Sequence, residues 1–184
     1  MIGPYVVAMR QSMIILSIIA VLFAAAVNPA AAAKAKAPKS LLNNPGSWGA
    51  FLLKEGKGRA CYIAGQPKSS TPAGVKRGPI WLLITHRPYK KIKGEIGIYV
   101  GYPFKAGSTA VVDVDGKKFK LYTVADTAWV DDSKVEKKLV AAMRAGKKMV
   151  VHGTSKRGTK TIDHYSLKGF TRAHRAINRA CKVK

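Results

Sequence analysis

The stretch Ala110-Val111-Val112-Asp113-Val114-Asp115-Gly116-Lys117-Lys118-Phe119-Lys120-Leu121-Tyr122 decides the fold class. Val112 and Val114 alternate with Asp113, and Phe119 and Leu121 resume the alternation after Asp115-Gly116. An Asp-Gly pair between two period-2 runs is the signal of a tight β-hairpin, because both central residues of such a turn need positive φ. Asp113 and Asp115 are therefore expected to flank a turn and not to hold a metal.

The same grammar extends N-terminally. From Arg59 to Tyr122, short β-branched or aromatic segments alternate with Gly, Pro and Lys, and predict strands at Ala60 to Ala64, Ile80 to His86, Glu95 to Val100, Ala110 to Val114 and Lys117 to Tyr122. Gln66 to Gly78 is almost free of apolar residues and reads as an exposed loop. Lys147 to His152 and Thr159 to Leu167 predict two more strands around a basic loop, Gly153 to Gly158.

Two segments switch to helical spacing. Ser133 with Glu136 has the form of a capping box, Val135, Leu139, Ala142 and Met143 recur on one face, and Gly146 stops the run. Phe170, Ala173, Ile177 and Ala180 mark a second helix whose opposite face carries Arg172, Arg175 and Arg179. The expected fold is mainly β, a β-sandwich-like domain with two short α-helices at about 133–145 and 169–180.

At the N-terminus, Arg10 precedes an apolar run from Met13 to Val27, and Pro29-Ala30-Ala31-Ala32-Ala33 follows. That is a secretory signal layout. The run is about 15 residues, short of the roughly 20 that span a bilayer core, so cleavage is preferred to an uncleaved anchor. The expected organisation is a cleaved signal peptide over 1–33, a mobile basic leader over 34–46 and a single β-rich domain over 47–184.

The 184 residues include 33 Lys and Arg but only 9 Asp and Glu, a net charge of +24. Loss of residues 1–33 removes only Arg10 and leaves +23. Such an imbalance attracts polyanions. For an exported chain, envelope polyanions such as anionic glycans and lipids come before nucleic acid, which is not expected as a partner; peripheral membrane contact is compatible with the charge. Arg87, Lys90, Lys91 and Lys93 surround Tyr89, and Lys156 with Arg157 sit in the second basic loop. These six are the candidate anion-binding residues, against the alternative that they are merely solvated turns.

Cys61 and Cys181 are the only cysteines, and in an oxidising compartment they are expected to form one disulfide closing about 120 residues. No Cys-x-x-Cys and no histidine at ligand spacing support a metal, and no cofactor is expected. Gly153 to Lys160 lacks the Gly-Lys-Ser/Thr order of a phosphate loop and precedes a strand pattern in place of a helix. Asp163-His164 with Ser166 is the only local grouping suggesting hydrolysis, but strand alternation sends Asp163 and His164 to opposite faces. No catalytic residue is assigned.

Trp48, Cys61-Tyr62-Ile63, Gly101-Tyr102-Pro103, the Asp113 to Gly116 hairpin, the helix ending at Gly146, and Ser166-Leu167-Lys168-Gly169-Phe170 with Ala173 resemble the invasion-associated locus B family of alphaproteobacterial exported proteins. The likeness runs over about residues 47 to 181, and the Ser-Leu-x-Gly-Phe-x-x-Ala pattern is its most specific piece. The resemblance implies a periplasmic or secreted bacterial β-sandwich-like domain, linked in some pathogens to host-cell entry, with no established enzymatic activity or cofactor. Many members carry further cysteines in the middle of the fold, where Leu121 to Trp129 has none. The expected function is thus a non-enzymatic exported protein that binds anionic envelope or host-surface components through a basic face. The alternatives are an adhesion or structural module with a protein partner and, ranked lower, a hydrolase with a dispersed site around His164.

Overall fold

The computed structural model describes residues 37–183; the expected signal peptide lies outside them. Eleven strands form: β1 (Lys39–Ser40), β2 (Trp48–Glu55), β3 (Gly58–Gly65), β4 (Ser69–Thr71), β5 (Trp81–Arg87), β6 (Ile92–Tyr99), β7 (Thr109–Val114), β8 (Lys117–Val124), β9 (Thr127–Trp129), β10 (Lys148–Thr154) and β11 (Lys160–Ser166). The helices are α1 (Ser133–Ala145) and α2 (Phe170–Cys181), and a 3-10 turn covers Pro88–Lys90.

All strands join one antiparallel sheet in the order β1-β2-β3-β5-β6-β9-β8-β7-β10-β11-β4. Laid flat, β3 and β4 would lie eight strand spacings apart, about 38 Å. Only Gln66 to Lys68 separate them in the chain, and a link that short reaches about 14 Å. The sheet must therefore roll. Its closure shows where Trp48 Nε1, at the start of β2, donates to the Ser166 carbonyl at the end of β11 (2.7 Å). The expected sandwich-like packing is thus made by one continuous sheet whose inner faces meet.

Alternation fills the interior. Ile63, Leu82, Ile84, Ile96, Ile98, Val112, Val114, Leu121, Met149 and Val151 point inward and are buried. Helix α1 adds Leu139, Val140 and Met143, and α2 adds Phe170, Ala173, Ala176 and Ile177. Cys61 on β3 and Cys181 at the end of α2 are joined by a disulfide. The predicted hairpin is β7–β8, with Asp115 and Gly116 at φ +45° and +91°. Asp113 accepts from Gly116 N (2.7 Å), and Asp115 accepts from Lys147 N and Lys148 N (2.7 and 3.1 Å), which ties the turn to the start of β10.

Three local differences from the sequence reading have physical causes. The cap of α1 is Asp132, whose carboxylate accepts from Lys134 N (2.5 Å). A carboxylate at the cap satisfies an orphan N–H and also favours the positive end of the helix dipole. Glu136, freed from any box with Ser133, accepts instead from Ile96 N (2.8 Å). Within the leader, Lys39 and Ser40 pair with Leu52 and Phe51, and Leu41 and Leu42 pack against the core, because two adjacent leucines gain more by burial than by solvation. The loop after β3 contains β4 and a buried arginine side chain, Arg77.

Candidate functional site

The turn between β10 and β11 and the segment after β6 enclose a cleft of about 400 Å³, lined by Val75, Lys76, Arg77, Tyr102, Lys156, Arg157 and Thr161 among others. Its base is rigid. Arg77 donates to both oxygens of Asp163 (2.8 and 2.9 Å), and its Nε and Nη2 reach the Val100 carbonyl (3.0 and 2.7 Å). The guanidinium lies 4.9 Å from the Tyr102 ring centre, a cation–π contact. Tyr102 shares a 2.5 Å hydrogen bond with Thr161, and burial holds its hydroxyl above the ordinary tyrosine range. Gly101 takes φ +70° and presses on Gly78, whose N–H donates to the Gly101 carbonyl (2.8 Å), so a side chain at Gly101 would collide with backbone.

Above this base stand three cations without a carboxylate. Lys76, Lys156 and Arg157 are exposed, and among the described residues none takes part in an ion pair or side-chain hydrogen bond. The turn carrying two of them is held by Ser155 N to the Thr159 carbonyl (2.9 Å), Lys156 N to the Pro103 carbonyl (2.8 Å) and Gly158 N to the Ser155 carbonyl (2.8 Å). These three amides are therefore spent internally, and the turn offers its charge to an anion through the side chains of Lys156 and Arg157.

The other sequence candidates lie elsewhere. Arg87 pairs with Glu55 (3.3 Å) and Glu95 (3.2 Å), so its charge is largely balanced. Tyr89 also donates to Glu55 (2.5 Å), and that bond, with Arg87 beside it, holds the carboxyl below its ordinary pKa. Lys90 sits over the Tyr89 ring at 5.6 Å, and Lys91 caps the 3-10 turn in the left-handed region. Lys93 turns toward a separate cavity of about 360 Å³ with Lys137, Arg144, His86, His174 and Asn178. Lys93 stands at one end of β6, and Gly101, in the cleft, lies beyond the other; eight extended residues put about 26 Å between them. The six candidates thus occupy three places.

Arg77 escaped the sequence reading, while Asp163 entered it only beside His164 and Tyr102 only as part of the family likeness. A single arginine in a polar loop carries no mark of burial, and its carboxylate partner lies 86 residues away. Asp163 is committed to Arg77, while His164 is exposed on the outer face of β11, so the two do not form a relay.

The family model described as "Invasion associated locus B (IalB) protein" matches residues 48–178. The chain belongs to this family. The IalB match opens at Trp48, which packs edge-on against Phe170 (5.1 Å) and alongside Tyr165 (6.1 Å). The pattern from Ser166 to Ala173 follows from that contact: Ser166 supplies the carbonyl for Trp48, Leu167, Phe170 and Ala173 are buried, and Gly169 takes φ +91° to start α2. The fold is similar to the crystal structure of invasion associated protein B from Bartonella henselae, with a TM-score of 0.54 and 15% sequence identity over 80% of this chain and 99% of that one. Among curated proteins, none matches the chain significantly. Among the described residues, no helix is long and apolar enough to cross a membrane, and no three His, Cys, Asp or Glu side chains are grouped to hold a metal ion.

Proposed function

We propose that this IalB-family protein is exported and, without catalysing a reaction, holds anionic groups on envelope or host-surface glycans and lipids. The contact residues are Lys76, Lys156 and Arg157. The observation that carries this reading is the cleft itself: three uncommitted cations converge on a concave site whose base is fixed by a buried ion pair. Cations already paired with carboxylates, such as Arg87, have less charge to offer. A rigid base lowers the ordering cost of binding. The signal-like segment before residue 34 supports an exterior ligand.

Retention of residues 34–184 on immobilised lipopolysaccharide, with Lys76, Lys156 and Arg157 reversed to Glu in a second sample, tests the reading. Wild type should be held at physiological salt and released as salt rises, because screening shortens the reach of exposed charges. The reversed variant should pass through. Equal retention of both would exclude the cleft, and salt-independent retention would favour a protein-like, apolar contact.

A further inference from the structure

A second feature lies on the outer face of the sheet. The registers set Gly49 against Ala64, Ala64 against Leu83, Leu83 against Gly97, Gly97 against Trp129, and Trp129 against Tyr122. One row of paired residues therefore crosses β2, β3, β5, β6, β9 and β8 on the solvent side. The adjacent rows add Phe51 opposite Tyr62, and Trp81 opposite Tyr99. Outward positions of a solvent-facing sheet are ordinarily polar; here they form an aromatic band. Over β2, β3, β5 and β6 it is concave, a groove of about 820 Å³ lined by Phe51, Tyr62, Trp81, Leu83 and Tyr99. The chain before β2 (Pro45 to Ser47) and after β3 (Gln66 to Lys68) supplies its rim.

The rings lie along the sheet where glycine leaves room. Phe51 covers Gly49 so closely that a Cβ there would overlap its ring, and Trp129 covers Gly97, with ring atoms 3.0 Å from where a Cβ would stand. Phe51 and Tyr62 are 5.2 Å apart and within 27° of parallel. Phe51, Tyr62 and Tyr99 are half-buried between the rim segments, which suits insertion into a bilayer poorly, since a flat bilayer reaches protruding side chains first. They suit a flexible chain of flat units with apolar faces and polar edges.

We propose that this groove is a stacking platform for the sugar rings of an extended glycan. The axial C–H faces of the pyranose rings pack on Trp81, Tyr62 and Phe51, and their hydroxyls reach Ser47, Gln66 and Lys68 at the rim. The groove also continues toward the basic cleft. Tyr99 lines the groove and Gly101 lines the cleft, and two residues span about 7 Å at most. The segment between β3 and β5 walls both, through Gln66 to Lys68 on one side and Val75 to Arg77 on the other. A glycan on the aromatic floor can thus place an anionic substituent among Lys76, Lys156 and Arg157; this placement rests on the anion-binding reading, whereas ring stacking does not.

The test is titration of residues 34–184 with a neutral N-acetylglucosamine hexamer, followed by tryptophan emission, at about 0.5 M salt, where surface electrostatics are screened. Wild type and the Lys76, Lys156 and Arg157 reversal variant should bind alike. Trp81→Ala should weaken binding about tenfold, the order that losing one stacking ring costs, and Trp81→Phe should restore most of it. Trp81 is 37% exposed, so its truncation opens no buried cavity. The proposal is overturned if the hexamer does not bind, if Trp81→Ala binds within twofold of wild type, or if Trp81→Ala impairs only adhesion to anionic vesicles. Anionic-glycan binding that survives charge reversal would remove the cleft reading and leave the groove standing.

Discussion

Arg77 and Asp163 form a two-pronged ion pair, with side chains 7% and 1% exposed, at the base of the cleft. Arg77 comes from the segment after β4 and Asp163 from β11, so the pair fixes a long connection to the sheet. Removing one member leaves the other charge buried and uncompensated, at a cost of about 3 to 5 kcal/mol. Arg77→Ala and Asp163→Ala should each lower the unfolding free energy by that order, read as a lower denaturation midpoint. The double change to Met and Leu should cost less than either, because no unpaired charge remains. A midpoint unchanged in Arg77→Ala would show that the pair does not hold the loop.

Acid should loosen the opposite side of the molecule. His86 Nδ1 accepts from Gly94 N (2.9 Å) where the β5–β6 pairing shifts register, so Nε2 carries the proton and donates to Asn178 on α2 (2.9 Å). Burial lowers the pKa of His86, and it lowers that of His174 to about 4, with Arg144 and His86 adding repulsion. Lys93, Lys137 and Glu136 also face this cavity, and burial raises the Glu136 pKa. A histidine depressed in the folded state favours folding fully above its unfolded pKa, about 6.5, and loses that contribution as the pH falls toward the folded value. Thermal stability should therefore drop between about pH 6.5 and 4, and His174→Phe should flatten this slope. A parallel slope in the variant would assign the acid loss to other groups.

Cys61–Cys181 closes a loop of 120 residues and pins the end of α2 beside His86. The chain-entropy argument gives an upper bound of about 5 kcal/mol for a loop of that size. Double replacement by Ala should lower the unfolding free energy by a large part of that amount, and with it the urea midpoint. If the two midpoints coincide, α2 is held by packing alone.

The parts of the fold legible in the sequence are those whose signal is local. The β7–β8 hairpin is written in Val112, Val114 and Asp115-Gly116, and α2 in the spacing of Phe170, Ala173 and Ile177 against three arginines. Strand β2 is harder to read. Ala50 to Leu53 is a continuous apolar run, because Ala50 faces the core while Phe51 lines the outer groove, and such a run carries no period. Strands β4 and β9 have only three residues each and are defined by their neighbours.

The cleft was half legible. Lys156 and Arg157 stand out in sequence, but Lys76, Arg77 and Tyr102 join them only through folding. Conversely, Arg87 looked like a free cation until Glu55, 32 residues away, arrived as its partner. Clustering along the chain does not reveal which charges are already paired.

The cap of α1 offers a compact check on the local assignments. Asp132→Ala should cost about 1 kcal/mol, while Ser133→Ala should change stability by less than about half that. The reverse order, measured by chemical denaturation, would return the cap to Ser133.

The most direct measurement is the salt dependence of affinity for a sulfated polysaccharide, comparing wild type, the Lys76, Lys156 and Arg157 reversal variant, and a variant with Lys90 and Lys91 reversed. Each cation that displaces a counterion from a polyanion adds about one to the slope of log affinity against log salt. The cleft variant should lose affinity at least about tenfold at physiological salt and show a slope shallower by about three, with the tip variant close to wild type. Equal losses in both variants would contradict a localised site and leave the charge as a diffuse property of the surface.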